Sequence, residues 1–198
     1  MAKLQNKFSK SSTSVFSFVP KKIYIYRQIL RLISTKPKIR NMSQKENFMR
    51  EAIRLSLENM RSGKGGPFGA VIVKDGKIIA RGFNKVTSSN DPTAHAEVVA
   101  IREACKELGT FQLDDCEIYT SCEPCPMCLG AIYWARPKKM YYANTKVDAA
   151  NIEFDDKFIY DEIELPLDGR KLECEQLLND EALVAFKEWQ EKQDKIEY

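Results

Sequence analysis

The only histidine in 198 residues stands in Thr93-Ala94-His95-Ala96-Glu97, and about thirty residues later runs Pro124-Cys125-Pro126-Met127-Cys128. Each half alone is weak. A lone histidine is more often a satisfied core residue than a ligand, and an isolated Cys-x-x-Cys suits redox chemistry or part of a zinc site. Together they constrain the fold, because they require two helix starts to lie side by side. Cys125 and Cys128, at i and i+3 on the first turn of a helix, point the same way. Pro124 is well placed just before that turn, and the positive end of the helix dipole favours thiolates there. His95, at the start of another helix, supplies a third ligand. Zinc takes tetrahedral nitrogen and sulfur donors, and a catalytic site has three protein ligands with the fourth position left to water.

Two neighbours compete for roles. Cys122 lies three residues before Cys125, so Cys122-x-x-Cys125-x-x-Cys128 also reads as an iron–sulfur fragment. Its alternative is a small buried hydrophobe at a strand end. Glu97 is either a first-turn glutamate favoured by the helix dipole or the proton carrier beside an activated water. His-x-Glu followed by Pro-Cys-x-x-Cys is the signature of zinc-dependent base deaminases, which favours the second reading.

Charge is divided unevenly. Residues 1–41 hold ten Lys and Arg and no Asp or Glu, which leaves 21 basic against 28 acidic residues in 42–198, a net of about −7. A nucleic-acid binder carries its basic excess on the folded part, so nucleic acid is not the expected partner. No stretch approaches the roughly 18 uncharged apolar residues of a spanning helix, so no membrane partner is expected either. Three of six cysteines are packed into 122–128, poor geometry for a disulfide framework and good geometry for metal in a reducing compartment. The N-terminus lacks the apolar core of a secretory signal. The expected location is the cytoplasm, with organelle import through residues 1–41 left open. That basic extension reads as a transit peptide, a basic arm or a mis-assigned start ahead of Met42.

From Met42 a helical pattern sets in, with Ser43 as N-cap and Phe48, Met49, Ala52, Ile53, Leu55 and Met60 as its apolar face. Gly63, Gly65, Gly66 and Pro67 end it. Residues 70–81 read as a hairpin around Asp75-Gly76. Then come a helix from His95 to about Leu108, a buried strand over Cys116–Thr120, a helix over Pro124–Ala135, a strand over Lys139–Ala143 and a terminal helix from Asp180 to about Lys195. Strand–helix alternation after the hairpin indicates an α/β sandwich whose later strands run parallel.

At the level of whole motifs the chain resembles the cytidine-deaminase-like superfamily, and within it the small guanine deaminases of bacterial type. The resemblance is carried by Gly66-Pro67-Phe68-Gly69-Ala70, Asn90-Asp91-Pro92-Thr93-Ala94-His95-Ala96-Glu97, Thr120 to Cys128, Ala131 to Pro137, Phe154-Asp155-Asp156 and the final Glu197-Tyr198. It covers residues 43–198 and none of 1–41. It implies a three-layer α/β/α sandwich with a central mixed five-stranded sheet. The domain over 42–198 would hold one zinc per subunit through His95, Cys125 and Cys128, with Glu97 and Asp156 in proton transfer. Asn84, Phe68, Ala96, Trp134 and Tyr198 would contact the purine. It further implies a homodimer that exchanges its C-terminal segments, the partner's site being covered by Tyr198. The activity implied is hydrolysis of guanine to xanthine and ammonia. Guanosine, tRNA adenosine and a zinc-stabilised binding domain without catalysis are the alternatives.

Overall fold

Ser43 opens both the first helix and the part of the chain that the structure, a computed structural model, describes: residues 43–198. The basic extension, with its three competing readings, lies outside the described residues. Helix α1 (Gln44–Arg61) is capped by Ser43, whose Oγ accepts the Glu46 N–H at 3.3 Å. Its buried stripe is Ala52, Leu55, Ser56 and Asn59. This corrects the apolar face expected from sequence, since Ile53 and Met60 are 37% and 45% exposed. Two inward positions are polar, so hydrophobic spacing alone turns the expected face away from the real one.

Strands β1 (Gly69–Lys74) and β2 (Lys77–Phe83) form the expected hairpin. Asp75 and Gly76 take φ of 49° and 71°, the two left-handed residues that a type I′ turn requires. The chain continues through a short helix α2 (Val86–Ser89), α3 (Ala96–Leu108), β3 (Cys116–Cys122), α4 (Pro126–Ala135) and β4 (Lys139–Asn144). Helices α5 (Lys146–Ala150), α6 (Lys157–Glu164) and α7 (Asn179–Glu191) follow, with a 3-10 turn over Leu167–Gly169. The terminal helix thus ends before the expected Lys195.

The sheet runs β2-β1-β3-β4, with β1 antiparallel to both neighbours and β4 parallel to β3. It is mixed, as expected, but has four strands among the described residues rather than five. After β4 the chain enters α5 and α6, so no described segment pairs with the outer edge of β4. Side chains alternate between the faces. Ala70, Ile72 and Ile118 pack with Ala96, Ala100 and Ala104 of α3 and Ile132 of α4, while Val71, Val73 and Tyr119 pack with Leu55 of α1. That gives three layers. Helix α3 lies so close on β2 that a methyl group at Gly82 would run into the Ala96 carbonyl.

Register decides where the site is. Ala70 pairs with both Gly82 and Thr120, and Cys122 pairs with Asn144. The start of β1 and the ends of β2, β3 and β4 therefore share one edge, where α3 and α4 also begin. At the other extreme, no residue from 151 to 198 is buried, and Phe186 of α7 is 72% exposed. Among the described residues, no helix is long and apolar enough to cross a membrane.

An ion-pair cluster ties α1 to β2. Arg81 Nε donates to Glu51 Oε1 at 2.7 Å and Arg54 Nε to Glu51 Oε2 at 2.8 Å. The hydrogen bond from Arg54 is the main reason the Glu51 carboxyl is held at about 2 rather than 4.5, with Arg81 assisting and burial opposing. A carboxyl lowered on folding contributes stability above its ordinary value and loses it as pH falls toward the lowered one. Glu51→Gln is expected to lose about 1 kcal/mol at neutral pH. In urea unfolding at stepped pH, the gap to the parent should shrink below pH 4.5. A gap independent of pH would assign the loss to packing instead.

Candidate active site

Helices α3 and α4 start at the shared edge, and each has a metal-ligating residue at its N-cap, His95 and Cys125. Neither side chain caps its own helix, as a Ser or Asp would. They turn toward one another. Cys125 Sγ and Cys128 Sγ lie 3.5 and 3.4 Å from His95 Nδ1, and the three donor atoms fall within 4.8 Å of one another. Zn–N near 2.0 Å and Zn–S near 2.3 Å at a tetrahedral angle separate N from S by about 3.5 Å. The donors fit zinc, with a fourth position for water. Cys122 is not among them: it is buried, and its thiol donates to the Thr145 carbonyl at 3.6 Å. The iron–sulfur alternative loses its third sulfur.

Proton distribution follows from contact and burial. The hydrogen bond from Cys128 pulls the Cys125 thiol down to about 4 against the effect of burial, with His95 adding to the pull. The same pairing pushes Cys128 up. His95 is raised, first by its bond to Cys125. Glu97, 5% exposed, is raised because burial disfavours its carboxylate, although a hydrogen bond from Thr120 opposes this. Thr120 Oγ1 donates to Glu97 Oε1 at 2.9 Å, and Cys128 Sγ lies 3.5 Å from Oε2. A buried acid is thus fixed beside the ligands, with burial favouring its protonated form.

The donors open onto a cavity of about 540 Å³ whose walls include Phe68, Asn84, His95, Glu97, Cys125 and Asp156, a volume typical of small-ligand pockets. Asn84 Oδ1 accepts the N–H groups of Gly66 and Val86, at 3.4 and 3.2 Å. Phe68 meets Phe154 edge to face, with 5.0 Å between centroids. Of the paired aspartates, Asp155 accepts the Lys157 N–H at 2.9 Å. Asp156, at the N-cap of α6, makes no cap bond and is raised by burial and then by Cys125.

Three expected contacts lie elsewhere. Trp134 is on the outer face of α4, 64% exposed, and its ring is 6.0 Å from that of Tyr198. Neither lines this cavity. The Ala96 methyl is in the core. What Ala96 can offer a ligand is its backbone N–H, of the kind a helix N-terminus leaves without an intrahelical partner. Sequence reasoning missed Phe154 and Lys146 on the cavity wall and Thr120 behind Glu97. Phe154 was reachable through its place beside Asp155-Asp156. Thr120 had no signal of its own.

Three metal donors, an open coordination position and a buried glutamate at the floor of a small cavity define a zinc-dependent hydrolase on a three-layer α/β scaffold. The sequence matches the cytidine and deoxycytidylate deaminase zinc-binding region over residues 42–144. Over 153 residues it is 60% identical to the guanine deaminase of Bacillus subtilis, spanning 77% of this chain and 98% of that protein. The crystal structure of the Bacillus subtilis enzyme superposes with a TM-score of 0.76 at 59% identity, again over 77% and 98% of the two chains. The tRNA-specific adenosine deaminase of Aquifex aeolicus is 43% identical over 99 residues, 50% of this chain and 65% of that protein. The chain belongs to the cytidine and deoxycytidylate deaminase family, and within it to the guanine deaminases.

The purified chain is expected to hold one zinc per subunit. His95→Ala and Cys125→Ala should each lower the stoichiometry well below one after dialysis against a mild chelator, as read by atomic emission. Cys122→Ala should retain the full complement. Zinc loss in that variant would return Cys122 to the ligand set.

Proposed function

We propose that this protein hydrolyses guanine to xanthine and ammonia. The observation that carries the reading is the cavity lined by His95, Cys125 and Glu97, with the third donor, Cys128, buried behind them. A zinc ion held there supplies an activated water near neutral pH. At C2 of the base a C–O bond forms and the C–N bond to the amino group breaks. Glu97 takes the proton released by the water and passes it to ring N3. It then takes the remaining proton from the hydroxyl on C2 and delivers it to the amino group, so that the C2 carbonyl forms as ammonia leaves. Thr120 holds the carboxyl of Glu97 in place for these transfers. Asp156, the aspartate of the pair that is not spent on the turn, assists at the amine. Asn84 and Phe68 orient the base, with the Ala96 N–H as a further donor.

On this reading the working form is a homodimer that exchanges its C-terminal segments. A tail without a buried residue supports this, because Leu183, Phe186 and Trp189 of α7 have no core within their own chain to enter. Tyr198 rests on Trp134 and Phe111 of its own chain, and exchange would move it from there to the second copy's cavity. A fifth strand would then pair beside β4 from the exchanged tail. The place of action is the cytoplasm, whose reducing chemistry suits thiolate ligands.

Ammonia release from zinc-loaded protein, with guanine and guanosine offered side by side, tests the substrate. Release is expected from guanine, and Glu97→Gln should lower it about 10²–10⁴-fold with zinc retained. Release from guanosine alone would keep the mechanism and move the substrate. A separate measurement addresses assembly. Light scattering should give twice the chain mass, and deletion of residues 179–198 should shift the protein toward monomer and suppress turnover. A fully active monomeric truncation would rule out the exchanged tail.

A further inference from the structure

Asn59 is out of place for a core position. It is 4% exposed on the inward stripe of α1, and its Oδ1 has no protein partner. An amide is a poor helix former, and an unpaired buried acceptor is costly, so helix packing alone does not call for it. What the amide does is directed outward from the helix. Its Nδ2 donates to two backbone carbonyls, Gly66 O at 2.9 Å and Asn84 O at 2.8 Å. These carbonyls belong to the two segments that carry the cavity's base-contacting side chains. Gly66 O also accepts the Phe68 N–H at 2.9 Å, and the Asn84 N–H donates to Phe68 O at 3.1 Å. Gly65 is packed so tightly against the same residue that a methyl group there would collide with the Asn84 carbonyl. Asn59 and Gly65 thus both meet the Asn84 carbonyl.

The consequence reaches the substrate. With its main chain fixed, Asn84 keeps Oδ1 on the Gly66 and Val86 amides, and Nδ2 is the atom left to donate to an acceptor on the base. We infer that Asn59 is a positioning residue for base recognition: it fixes Asn84 and Phe68 together, so that the cavity presents a preset donor and ring face to a purine. The inference rests on the purine-deaminating reading above.

Asn59→Leu keeps size and helix and removes the donor. In the zinc-loaded protein it is expected to raise KM for guanine about tenfold, the worth of one substrate hydrogen bond, while kcat stays within about threefold. The Kd of hypoxanthine, which has no 2-amino group to lose, should rise in parallel, with zinc content near that of the parent and the melting temperature lowered by the unpaired Asn84 carbonyl. Gly65→Ala displaces the same Asn84 carbonyl by a steric clash with Asn59 intact. It should reproduce the rise in KM and Kd, so the inference does not depend on one variant folding. If either variant, folded and zinc-loaded, binds hypoxanthine as the parent does, Asn59 is only structural and the inference fails. If kcat falls with zinc content while Kd is unchanged, it fails as well. A parent protein that releases no ammonia from guanine and does not bind hypoxanthine would overturn the purine reading and this inference with it.

Discussion

The whole arrangement depends on two helix N-termini meeting at one edge of a sheet. A helix start leaves amides unpaired and carries partial positive charge, and the ordinary remedy is a capping Ser, Thr, Asp or Asn. Helices α3 and α4 forgo that remedy, because His95 and Cys125 occupy their N-caps without bonding their backbones. What they gain is an electropositive corner where a thiolate is stabilised, and Cys125 stays low despite burial. The sheet makes the corner possible. Only because β1 is antiparallel to β3 and β4 is parallel to it do the start of β1 and the ends of the other strands arrive together. Glu97 is then placed by helix geometry, two residues past His95 and inside the first turn of α3, where burial raises it.

Local chemistry was legible in the sequence wherever a residue type has one strong use. Asp75-Gly76 can hardly be other than a hairpin turn, and the histidine with Cys125 and Cys128 implies a metal geometry that the fold then provides. The hydrophobic pattern served β1 and the first half of β3 well, where the buried residues are apolar, but not Thr120 and Ser121, which are buried and polar. It failed on α1, whose inward stripe includes the polar Ser56 and Asn59. Ser56 donates to the Ile53 carbonyl, while Asn59 reaches 25 residues ahead to Asn84. No periodicity encodes a side chain recruited by a distant backbone. Thr120 was hidden in the same way, since its partner Glu97 lies 23 residues upstream. Trp134 and Tyr198 illustrate a different limit. Resemblance places them at a cavity, whereas this chain places them against each other on the outer face of α4.

That outer face and the tail share one energetic problem. Burial of an apolar side chain such as Leu or Phe is worth about 1.5–3 kcal/mol, and no side chain of α7 is fully buried, with Phe186 72% exposed. The open edge of β4, the exposed Trp134 and Tyr133 of α4 and the amphipathic α7 are complementary deficits. A second copy of the chain, as proposed above, would supply a partner for each of them.

Charge around the cavity bears on which bases can enter. Its walls include Glu97, Glu123, Glu153, Asp155 and Asp156 against one lysine, Lys146. Lys146 is partly engaged already, with its Nζ 4.7 Å from the Tyr160 ring and its backbone N–H bonded to Glu123 at 3.0 Å. A phosphate approaching this mouth meets like charge, at a cost of about 1 kcal/mol per pair at close range even in water and more near the protein. Residues 42–198 as a whole carry about −7, which repels a polyanion at longer distance as well. The aromatic walls, Phe68 and Phe154, tolerate any flat base, so they cannot account for discrimination between a free purine and a nucleotide within tRNA. The acidic rim can. It leaves uncharged bases and nucleosides as the ligands that meet no charge repulsion at this mouth.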